Sequence, residues 1–408
     1  MSWIALKMLM GDKAKFIGIV MGLTFSALLI TQQGSIFCGL MLRTAAQITD
    51  ITGADLWVMD PTVRFVDDVK PMIANNLYRV RGVEGVLWAV PLFKGNARAK
   101  LNTAGPDGKS QNVIEQVILL GLDDSSLVGS PQRILVGNLS ALRKPDAVIV
   151  DRVGLRKLFP GQRGEVSVPE SQLTENQRKQ PVPPTLERFL GRELEMNDRR
   201  AIIVGICEAT RTFQSNPVVY TTYSKALHYI PSERKQLTYV LAKTEPGIAP
   251  QVVADRIRAQ TGLGARTSED FQDLTINYYL KYTGIPINFG ITAMLGFFVG
   301  TAIAGQTFYN FTLENLKQFG ALKAMGATNL RIVGMILLQA VVVGLLGYGI
   351  GVGMAALFGI LTEGGELAFY TPWQVLPITG GAIVFICILS SMLCIRRVMV
   401  LEPAIVFR

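Results

Sequence analysis

The stretch QFGALKAMGATN, Gln318 to Asn329, separates two long apolar runs and carries a lysine and two glycines. The runs on either side, Tyr282–Leu313 and Ile332–Thr362, contain no Asp, Glu, Lys or Arg. Two further uncharged windows are Phe16–Leu42 and Leu367–Ile395. Each of the four windows exceeds the roughly 20 residues that a helix needs to cross the hydrocarbon of a bilayer. The sequence therefore predicts an α-helical membrane protein with four transmembrane helices.

The composition agrees with a membrane protein. The chain has 408 residues, of which 49% are hydrophobic, and its mean hydropathy is +0.33. The basic residues before the first window also fit a cleaved signal peptide, and Thr44–Ala46 is small enough to be a cleavage site. Because the apolar run is far longer than the ~7–15 residues of a signal peptide core, we expect this window to remain as an anchor.

The charges beside the windows predict the orientation, since cytoplasmic loops of membrane proteins carry an excess of Lys and Arg. The segment between the third and fourth windows carries Glu363 and Glu366 and no cation. Both termini and the loop after the second window are rich in cations, so we predict them to be cytoplasmic. The cations on this side are Lys7, Lys13, Lys15, Lys317, Lys323, Arg331, Arg396, Arg397 and Arg408.

The long segment between the first two windows is predicted to be extracytoplasmic. Strand-like and helix-like patterns alternate along it, which indicates a mixed α+β domain inserted between transmembrane helices 1 and 2. Helical stalks are expected at both ends, and the Pro- and Gln-rich stretch Pro160–Arg192 is expected to be an exposed excursion or a boundary between lobes. The predicted order is an amphipathic cytoplasmic N-terminus (1–15), a first transmembrane helix (16–42), the core domain with stalks (43–281), a second transmembrane helix (282–313), a cytoplasmic coupling helix (314–331), a third transmembrane helix (332–362), a short outer turn (363–366), a fourth transmembrane helix (367–395) and a cytoplasmic tail (396–408).

The sequence contains no visible catalytic or metal-binding constellation. His228 is the only histidine, and Cys207 is the only cysteine outside the apolar windows. The stretch Thr103–Ser110 ends in Gly-Lys-Ser, but a phosphate-binding loop needs glycine where Thr103 stands, so we expect a hairpin turn. The net charge of +9 includes the cations that flank the membrane windows, and no nucleic-acid site is predicted. We therefore expect this chain to bind no cofactor or metal and to catalyse no reaction by itself.

The cytoplasmic stretch has a one-sided apolar pattern. The residues Leu313, Leu316, Phe319, Leu322 and Met325 recur every three positions, as in an amphipathic helix. Gly326 is expected to end this helix. The pattern alone is also typical of a helix that lies in the membrane interface.

The same stretch resembles a known family motif. QFGALKAMGAT lies between the second and third of four membrane helices, with a large outer domain between the first and second. In this it resembles the FtsX-type permeases of the MacB-like ABC transporters, in which such a helix couples the permease to a separate or fused ATPase. Gln318 stands where the family usually has Glu, so an ion pair to the ATPase would become a neutral hydrogen bond. The residues that the resemblance assigns to ATPase coupling are Leu316, Lys317, Gln318, Phe319, Gly320, Leu322, Lys323, Ala324, Met325 and Gly326.

Other parts of the chain share this resemblance. The segment AIIVGICEATRTFQSNPVVYTTYSKAL (201–227) is similar to the periplasmic core domain of these permeases, and LEPAIVFR (401–408) is similar to their usual ending. The resemblance implies a separate ABC ATPase that binds the ATP and magnesium, a homodimer, and a place among the lipids of the bacterial inner membrane with the large domain in the periplasm. It also allows a periplasmic adaptor and an outer-membrane channel.

Small residues in the membrane windows predict close helix packing. Gly296 and Gly300 form a G-x-x-x-G pattern, and Gly347 and Gly351 form another small-residue face. For the predicted homodimer we assign these four glycines to the contact between the two copies. The alternative is helix packing within one chain.

The residues and the resemblance together imply a permease subunit that transmits ATP-driven motion to the periplasmic domain and so exports or extracts an amphiphilic substrate. Ionisable side chains mark pathways through membranes, and the four windows have none. The cargo is therefore expected to come from the outer leaflet or the periplasm. The alternative is a mechanotransmission or signalling subunit that activates an extracytoplasmic partner without transport.

Overall fold

The computed structural model of the protein describes residues 2–104, 110–159, 184–231, 236–362 and 367–399. The chain divides into two compact units. The membrane unit comprises the residues up to Leu40 and those from Gly284 onwards, and the inserted domain comprises Met41–Thr283. The predicted outer turn at 363–366, the tail beyond Met399, residues 105–109 of the Gly-Lys-Ser turn and residues 160–183 of the Pro- and Gln-rich excursion lie outside the described residues.

Helices and strands follow the chain in this order. The helices are α1 (Ser2–Gly11), α2 (Lys13–Thr44), α3 (Ala46–Asp50), α4 (Asn76–Arg81), α5 (Arg152–Leu158), α6 (Pro184–Glu187), α7 (Tyr223–His228), α8 (Pro250–Thr261), α9 (Ser268–Tyr282), α10 (Ile285–Glu314), α11 (Leu316–Ala324), α12 (Asn329–Thr362) and α13 (Val375–Met399). The strands are β1 (Leu56–Met59), β2 (Val86–Ala104), β3 (Ser110–Leu122), β4 (Arg133–Gly137), β5 (Ala147–Asp151), β6 (Glu193–Met196), β7 (Arg199–Glu208), β8 (Val218–Thr222), β9 (Tyr239–Thr244) and β10 (Gly264–Thr267).

The membrane unit contains, in its described part, four helices that are long and apolar enough to cross a membrane: α2, α10, α12 and α13. Each of them contains most of one uncharged window. The predicted number of membrane-spanning helices is therefore confirmed for the described residues.

The membrane helices approach one another closely at glycines. A Cβ atom on Gly300 would lie 1.7 Å from Ser26 Oγ, and that hydroxyl donates a hydrogen bond to the carbonyl of Gly296 at 2.6 Å. A Cβ atom on Gly347 or Gly351 of α12 would come within 2.6 Å of a side chain of α2. Helix α2 of the same chain thus occupies the space that the missing side chains of these four glycines leave, which favours the alternative of helix packing within one chain.

The fourth membrane helix begins later than predicted. Its uncharged window starts at Leu367, but the helix starts at Val375. Pro372 disfavours helical backbone in the residue before it, and the segment ahead of it instead packs on α2, where the Tyr370 N–H donates to the carbonyl of Ser35 at 3.1 Å. The absence of charge marks residues that suit the hydrocarbon, whereas helix ends depend on proline and on hydrogen bonding.

Two other boundaries shift for similar reasons. Helix α10 begins at Ile285, because Pro286 occupies its first turn. Helix α12 begins at Asn329 and includes Arg331, so the cytoplasmic helix between the two spans is shorter than the predicted 314–331.

The inserted domain is entered and left through helices, as predicted. Helix α2 extends to Thr44 and α3 continues to Asp50. At the other end Thr267 Oγ1 accepts the N–H of Asp270 at 3.0 Å and caps α9. This second stalk does not continue into the second span as one helix, because Thr283 and Gly284 separate α9 from α10.

A single mixed sheet organises the inserted domain. In the described residues it has ten strands in the order β10-β1-β9-β2-β3-β8-β5-β7-β4, and β6 pairs with β2 and β7. The pairs β3–β8 and β5–β7 are parallel and the other pairs are antiparallel. Strand β2 links the two halves of the sheet, because its first part pairs with β9 and its second part with β3. With the helices that cover this sheet, the predicted mixed α+β class is confirmed.

Candidate functional site

The candidate site is α11, a nine-residue helix between two spans of the membrane unit. It ends at Gly326, which adopts a positive φ of +91°. The Gly326 N–H donates to the carbonyl of Lys323, and the Ala327 N–H donates to the carbonyl of Leu322, both at 3.0 Å. This pair of bonds is the Schellman arrangement, which satisfies carbonyls at a helix end and needs a residue that tolerates positive φ. The predicted helix stop is confirmed.

The inner face of α11 is packed into the membrane unit. Phe319 is fully buried in a cluster contributed by α1, α2, α10, α12 and α13. Gly320 is buried as well. Leu322 is 8% exposed and packs with Ala5 of α1 and Met335 of α12. The helix is therefore fixed to several elements of the membrane unit rather than held only by its two ends.

The predicted apolar stripe is only partly buried. Leu313 and Leu316 are half-buried, whereas Met325 is 75% exposed. Met325 is the C-cap residue just before the Gly326 turn. Its place on the inner face was predicted by continuing the helical period past the residue where the helix ends, so that prediction is wrong.

The outer surface of the site mixes apolar and polar side chains. Two of its members, Leu330, which is 83% exposed, and Arg331, lie within the predicted coupling segment 314–331 but were not among the residues assigned to ATPase coupling. Both lie at the start of α12, just after the Gly326 turn. The exposed residues of this outer surface are Lys317, Gln318, Ala324, Met325, Gly326, Leu330 and Arg331.

Lys323 is a predicted coupling residue whose charged group makes contacts within the chain. Its Nζ donates to the carbonyls of Val398 and Met399 at 3.2 Å each. These are the last carbonyls of α13, which lack partners within the helix, and a lysine is favourable at that negative end of the helix dipole. Lys323 therefore ties α11 to the end of the fourth span.

Two further polar contacts fix the elements around α11. Lys15 at the start of α2 pairs with Asp12 and with Glu314 at the end of α10. The buried Gln339 of α12 donates through Nε2 to the carbonyl of Ala5 at 2.8 Å. The ends of α1, α2, α10 and α12 are thus joined on the side of the membrane unit that carries α11.

The chemistry of this site is that of a contact surface. Its exposed side chains offer ammonium, guanidinium, amide and thioether groups on a fixed support. Among the described residues of the chain, no group of three or more His, Cys, Asp or Glu side chains is arranged to hold a metal ion. The arrangement can bind another macromolecule and transmit a displacement to the helices behind it.

Comparison with known families identifies the membrane unit. Residues 282–403 match the family model described as FtsX-like permease C-terminal. The match contains α10, α11, α12 and α13, that is, three of the four spans and the whole of the candidate site.

Curated relatives cover a longer part of the chain. An uncharacterised ABC transporter permease of Mycobacterium tuberculosis strain H37Rv is 25% identical over 228 residues, which are 55% of this chain and 59% of the relative. An uncharacterised ABC transporter permease of Mycobacterium bovis is 28% identical over 229 residues, which are 55% of this chain and 60% of the relative. The chain thus spans about three fifths of the length of the curated relatives that it matches.

Solved structures show a weaker similarity. The extracellular domain of the noncanonic ABC-type transporter YknZ from Gram-positive bacteria covers 52% of this chain and 98% of its own, with 13% identity and a TM-score of 0.33. The periplasmic region of MacB from Actinobacillus actinomycetemcomitans covers 58% of this chain and 96% of its own, with 13% identity and a TM-score of 0.35.

Proposed function

Through residues 282–403 this chain belongs to the FtsX-like permease family, and from that premise we propose that it is the membrane subunit of an ABC transporter driven by an ATPase on a separate chain. The observation that carries the proposal is the geometry of α11, whose inner face is buried in the membrane unit while its outer face is exposed. A helix with these two faces can receive a displacement from a partner and pass it to the spans.

The outer surface of α11 suits a protein partner. Met325 and Leu330 are large exposed apolar side chains, and Lys317 and Arg331 add positive charge beside them. Protein interfaces combine an apolar centre with a polar rim. In this proposal the ATPase covers the two apolar side chains and presents acidic groups to the two cations. Gln318 contributes a neutral hydrogen bond.

The contacts behind α11 favour rigid transmission within the membrane unit. Phe319 belongs to a buried cluster to which five other helices of the unit contribute, and Lys323 bonds to the carbonyl of Val398 in α13. Closely packed interiors switch between discrete arrangements instead of deforming gradually. A shift of α11 would therefore move the spans together. Helix α2 extends past Met41 into the inserted domain, and α10 is joined along the chain to α9 of that domain through Thr283 and Gly284, so both connections would pass the movement on.

We propose that this movement exports or extracts an amphiphilic substrate from the outer leaflet or the periplasm of a bacterial inner membrane. Each of the four spans contains an uncharged run long enough to cross the hydrocarbon of a bilayer. These runs offer no ionisable side chains that could line a pathway for a hydrophilic solute. A periplasmic adaptor and an outer-membrane channel are further partners that this assignment allows.

A homodimer is part of the proposal, with a different surface from the glycines discussed above. Helix α10 is the least buried of the four spans, with 17% of its most apolar window buried against 41–44% for the others. Its exposed Ile287, Ile291, Met294 and Phe298 recur at spacings of four and three residues and form one stripe. We assign this stripe to contact with the second copy.

Copurification in detergent tests the coupling. Met325→Asp places a charge in the centre of the proposed interface without touching the buried face of α11, unlike substitutions at Gly320 or Leu322. We expect an ATPase to copurify with wild type, where mass spectrometry identifies it by a peptide that contains its phosphate-binding loop. With Met325→Asp, the amount of ATPase recovered should fall by at least about tenfold, because burying an unpaired charge at an interface is costly.

The matched control is Ile73→Asp, an equally exposed apolar residue of the inserted domain. It should leave the ATPase bound. Equal recovery of the ATPase with Met325→Asp and wild type would contradict the assignment of α11 to ATPase coupling. Failure to recover any ATPase would contradict the proposal that this chain is a transporter subunit.

A second experiment, in reconstituted vesicles, distinguishes export from signalling. Export predicts that a labelled lipid leaves the membrane when ATP is added, whereas signalling predicts that it stays.

A further inference from the structure

The inserted domain contains a cavity that the coupling of motion does not require. Its volume is about 620 Å³, within the 300–1,000 Å³ typical of small-molecule sites. Strand β2, the segments 65–71 and 212–214, and helix α9 contribute its walls. All of these lie within the inserted domain.

Two walls of the cavity are apolar. Phe93 and Ile230, which belong to the same buried cluster, form one of them and are nearly fully buried. Phe65 and Tyr279 form another, with ring centroids 5.6 Å apart in an edge-to-face arrangement. These walls suit an alkyl chain or a ring, because burying such a group removes apolar surface from water.

An ion pair also lines the cavity, and its lysine is buried whereas its aspartate, Asp67, is 37% exposed. The Lys94 side chain is 5% exposed, and its Nζ donates to the carbonyl of Val66 at 2.8 Å and pairs with Asp67. Burial lowers the pKa of Lys94, and the charge of Asp67 opposes that shift. These two described bonds use two of the three donors of an ammonium group. The pair as a whole has no net charge.

An unpartnered hydroxyl also lines the cavity. Thr212 is 5% exposed, and its Oγ1 has no hydrogen-bond partner among the described residues. Buried polar atoms in native proteins nearly always have a partner, so an exception needs an explanation. A ligand hydroxyl or carbonyl in the cavity would supply the missing bond.

We propose that this cavity binds an uncharged amphiphile, whose apolar part lies between the Phe93 and Phe65 walls and whose hydroxyl or carbonyl groups bond to Thr212 and Lys94. The charge of the ligand follows from the ion pair. A carboxylate would meet Asp67 at close range, and a quaternary ammonium would meet Lys94, so each charged ligand would face a like charge. The identification of this ligand with the cargo rests on the proposed transport function, whereas binding itself does not.

Site-resolved photolabelling of the full chain in lipid nanodiscs tests the proposal without an ATPase. The probe is octyl glucoside with a diazirine in its alkyl chain, used below the concentration that dissolves the bilayer. We expect saturable labelling of peptides that contain Phe65 or Tyr279. Unlabelled octyl glucoside should compete at least about tenfold better than octanoate or octyltrimethylammonium. Absence of saturable labelling at these peptides, or equal competition by the three compounds, would overturn the proposal.

A matched pair of threonine variants separates binding from folding. Thr222 also has a buried, unpartnered Oγ1, but it does not line this cavity. Both Thr212→Val and Thr222→Val should raise the melting temperature slightly, because each removes an unsatisfied buried hydroxyl. Only Thr212→Val should weaken octyl glucoside binding, by about three- to tenfold. Equal affinity of the two variants would overturn the role of Thr212.

A charge variant tests the argument from the ion pair. Asp67→Asn keeps a hydrogen-bond acceptor beside Lys94 and removes the negative charge that repels a bound carboxylate. We expect its preference to move towards octanoate by about tenfold or more, since a carboxylate then makes a charge-assisted bond to the ammonium. An unchanged order of competitors would show that the ion pair does not set specificity. None of these binding experiments uses ATP or an ATPase. Their failure would therefore not contradict the proposed coupling, and failure of the ATPase copurification would not contradict ligand binding in the cavity.

Discussion

The membrane unit and the inserted domain bury different kinds of groups. In the membrane unit, helices meet at glycines such as Gly300 and Gly351, and the contacts are mostly apolar. In the inserted domain, ionisable groups are buried within the sheet and satisfied there. Asp151, for example, accepts the N–H groups of Gly154 and Val218, both at 2.7 Å. Packing of the membrane unit therefore depends on the shapes of its side chains, whereas packing of the inserted domain depends on buried charge as well. We expect the membrane unit to be sensitive to changes in side-chain volume and the inserted domain to changes in protonation.

The largest contrast expected between the two regions is in their accessibility from outside the cell. We predict that a cysteine at Met325 reacts with a membrane-impermeant maleimide only after the cells are permeabilised, whereas a cysteine at Ile73 reacts in intact cells. Both positions are about three-quarters exposed, so the difference reports the side of the membrane. The native cysteines are buried or half-buried, and labelling of the chain without an added cysteine measures their background reaction with the maleimide.

The proposed orientation would be wrong if Met325→Cys were labelled in intact cells at the rate seen for Ile73→Cys. Helix α11 would then lie outside the cell and could not bind a cytoplasmic ATPase. Equal failure of both positions in intact cells would place the inserted domain inside and contradict its extracytoplasmic assignment.

The next effect concerns shape in the membrane unit. We expect Gly351→Ala to lower the free energy of unfolding by about 1–3 kcal/mol, because its new Cβ would meet Ala27 Cβ at 2.6 Å and the carbonyl of Thr24 at 2.7 Å. Gly353 lies two residues further along the same helix and has nothing within 4 Å of an added Cβ. Gly353→Ala should be neutral or stabilising by up to about 1 kcal/mol. Thermal unfolding in detergent measures both, and equal stability of the two variants would contradict the close packing of α12 on α2.

The third effect concerns charge in the inserted domain. Burial raises the pKa of Asp151 to about 6, although its two N–H donors and the charge of Arg211 oppose the shift. A carboxyl with a raised pKa binds its proton more tightly in the folded state. Between pH of about 4 and about 6 the folded state therefore holds more protons than the unfolded state, and stability is lost as the pH rises, by up to about 3 kcal/mol.

Asp151→Asn should lack this loss, so the stability of the variant relative to wild type should rise over the same pH window. Thermal unfolding of the full chain, followed by tryptophan fluorescence, measures the difference. Other carboxyl groups are common to both chains and cancel in it. A difference that does not depend on pH would show that Asp151 is already ionised near its ordinary pKa.

The candidate site was predictable from sequence in part. The motif located α11, and Gly326 marked its end, because a positive φ favours glycine over other residues. The pattern also placed Phe319 and Leu322 on one apolar face, and both are buried. It did not separate Lys317, which is exposed, from Lys323, whose Nζ bonds to carbonyls 75 and 76 residues away. Two lysines six residues apart look alike in sequence, and only the position of α13 makes them different.

The sequence by itself determined the four spans, their predicted orientation, the coupling motif and the mixed class of the inserted domain. These properties follow from hydrophobic length, charge and local periodicity, which act over a few turns of helix or a few residues of strand. Only the tertiary structure decided that the glycines of α10 and α12 pack on α2 of the same chain. It also decided that Lys94, Thr212 and Tyr279 surround one cavity. Each of these outcomes depends on contacts between residues far apart in the chain, and no local pattern encodes the position of the distant partner.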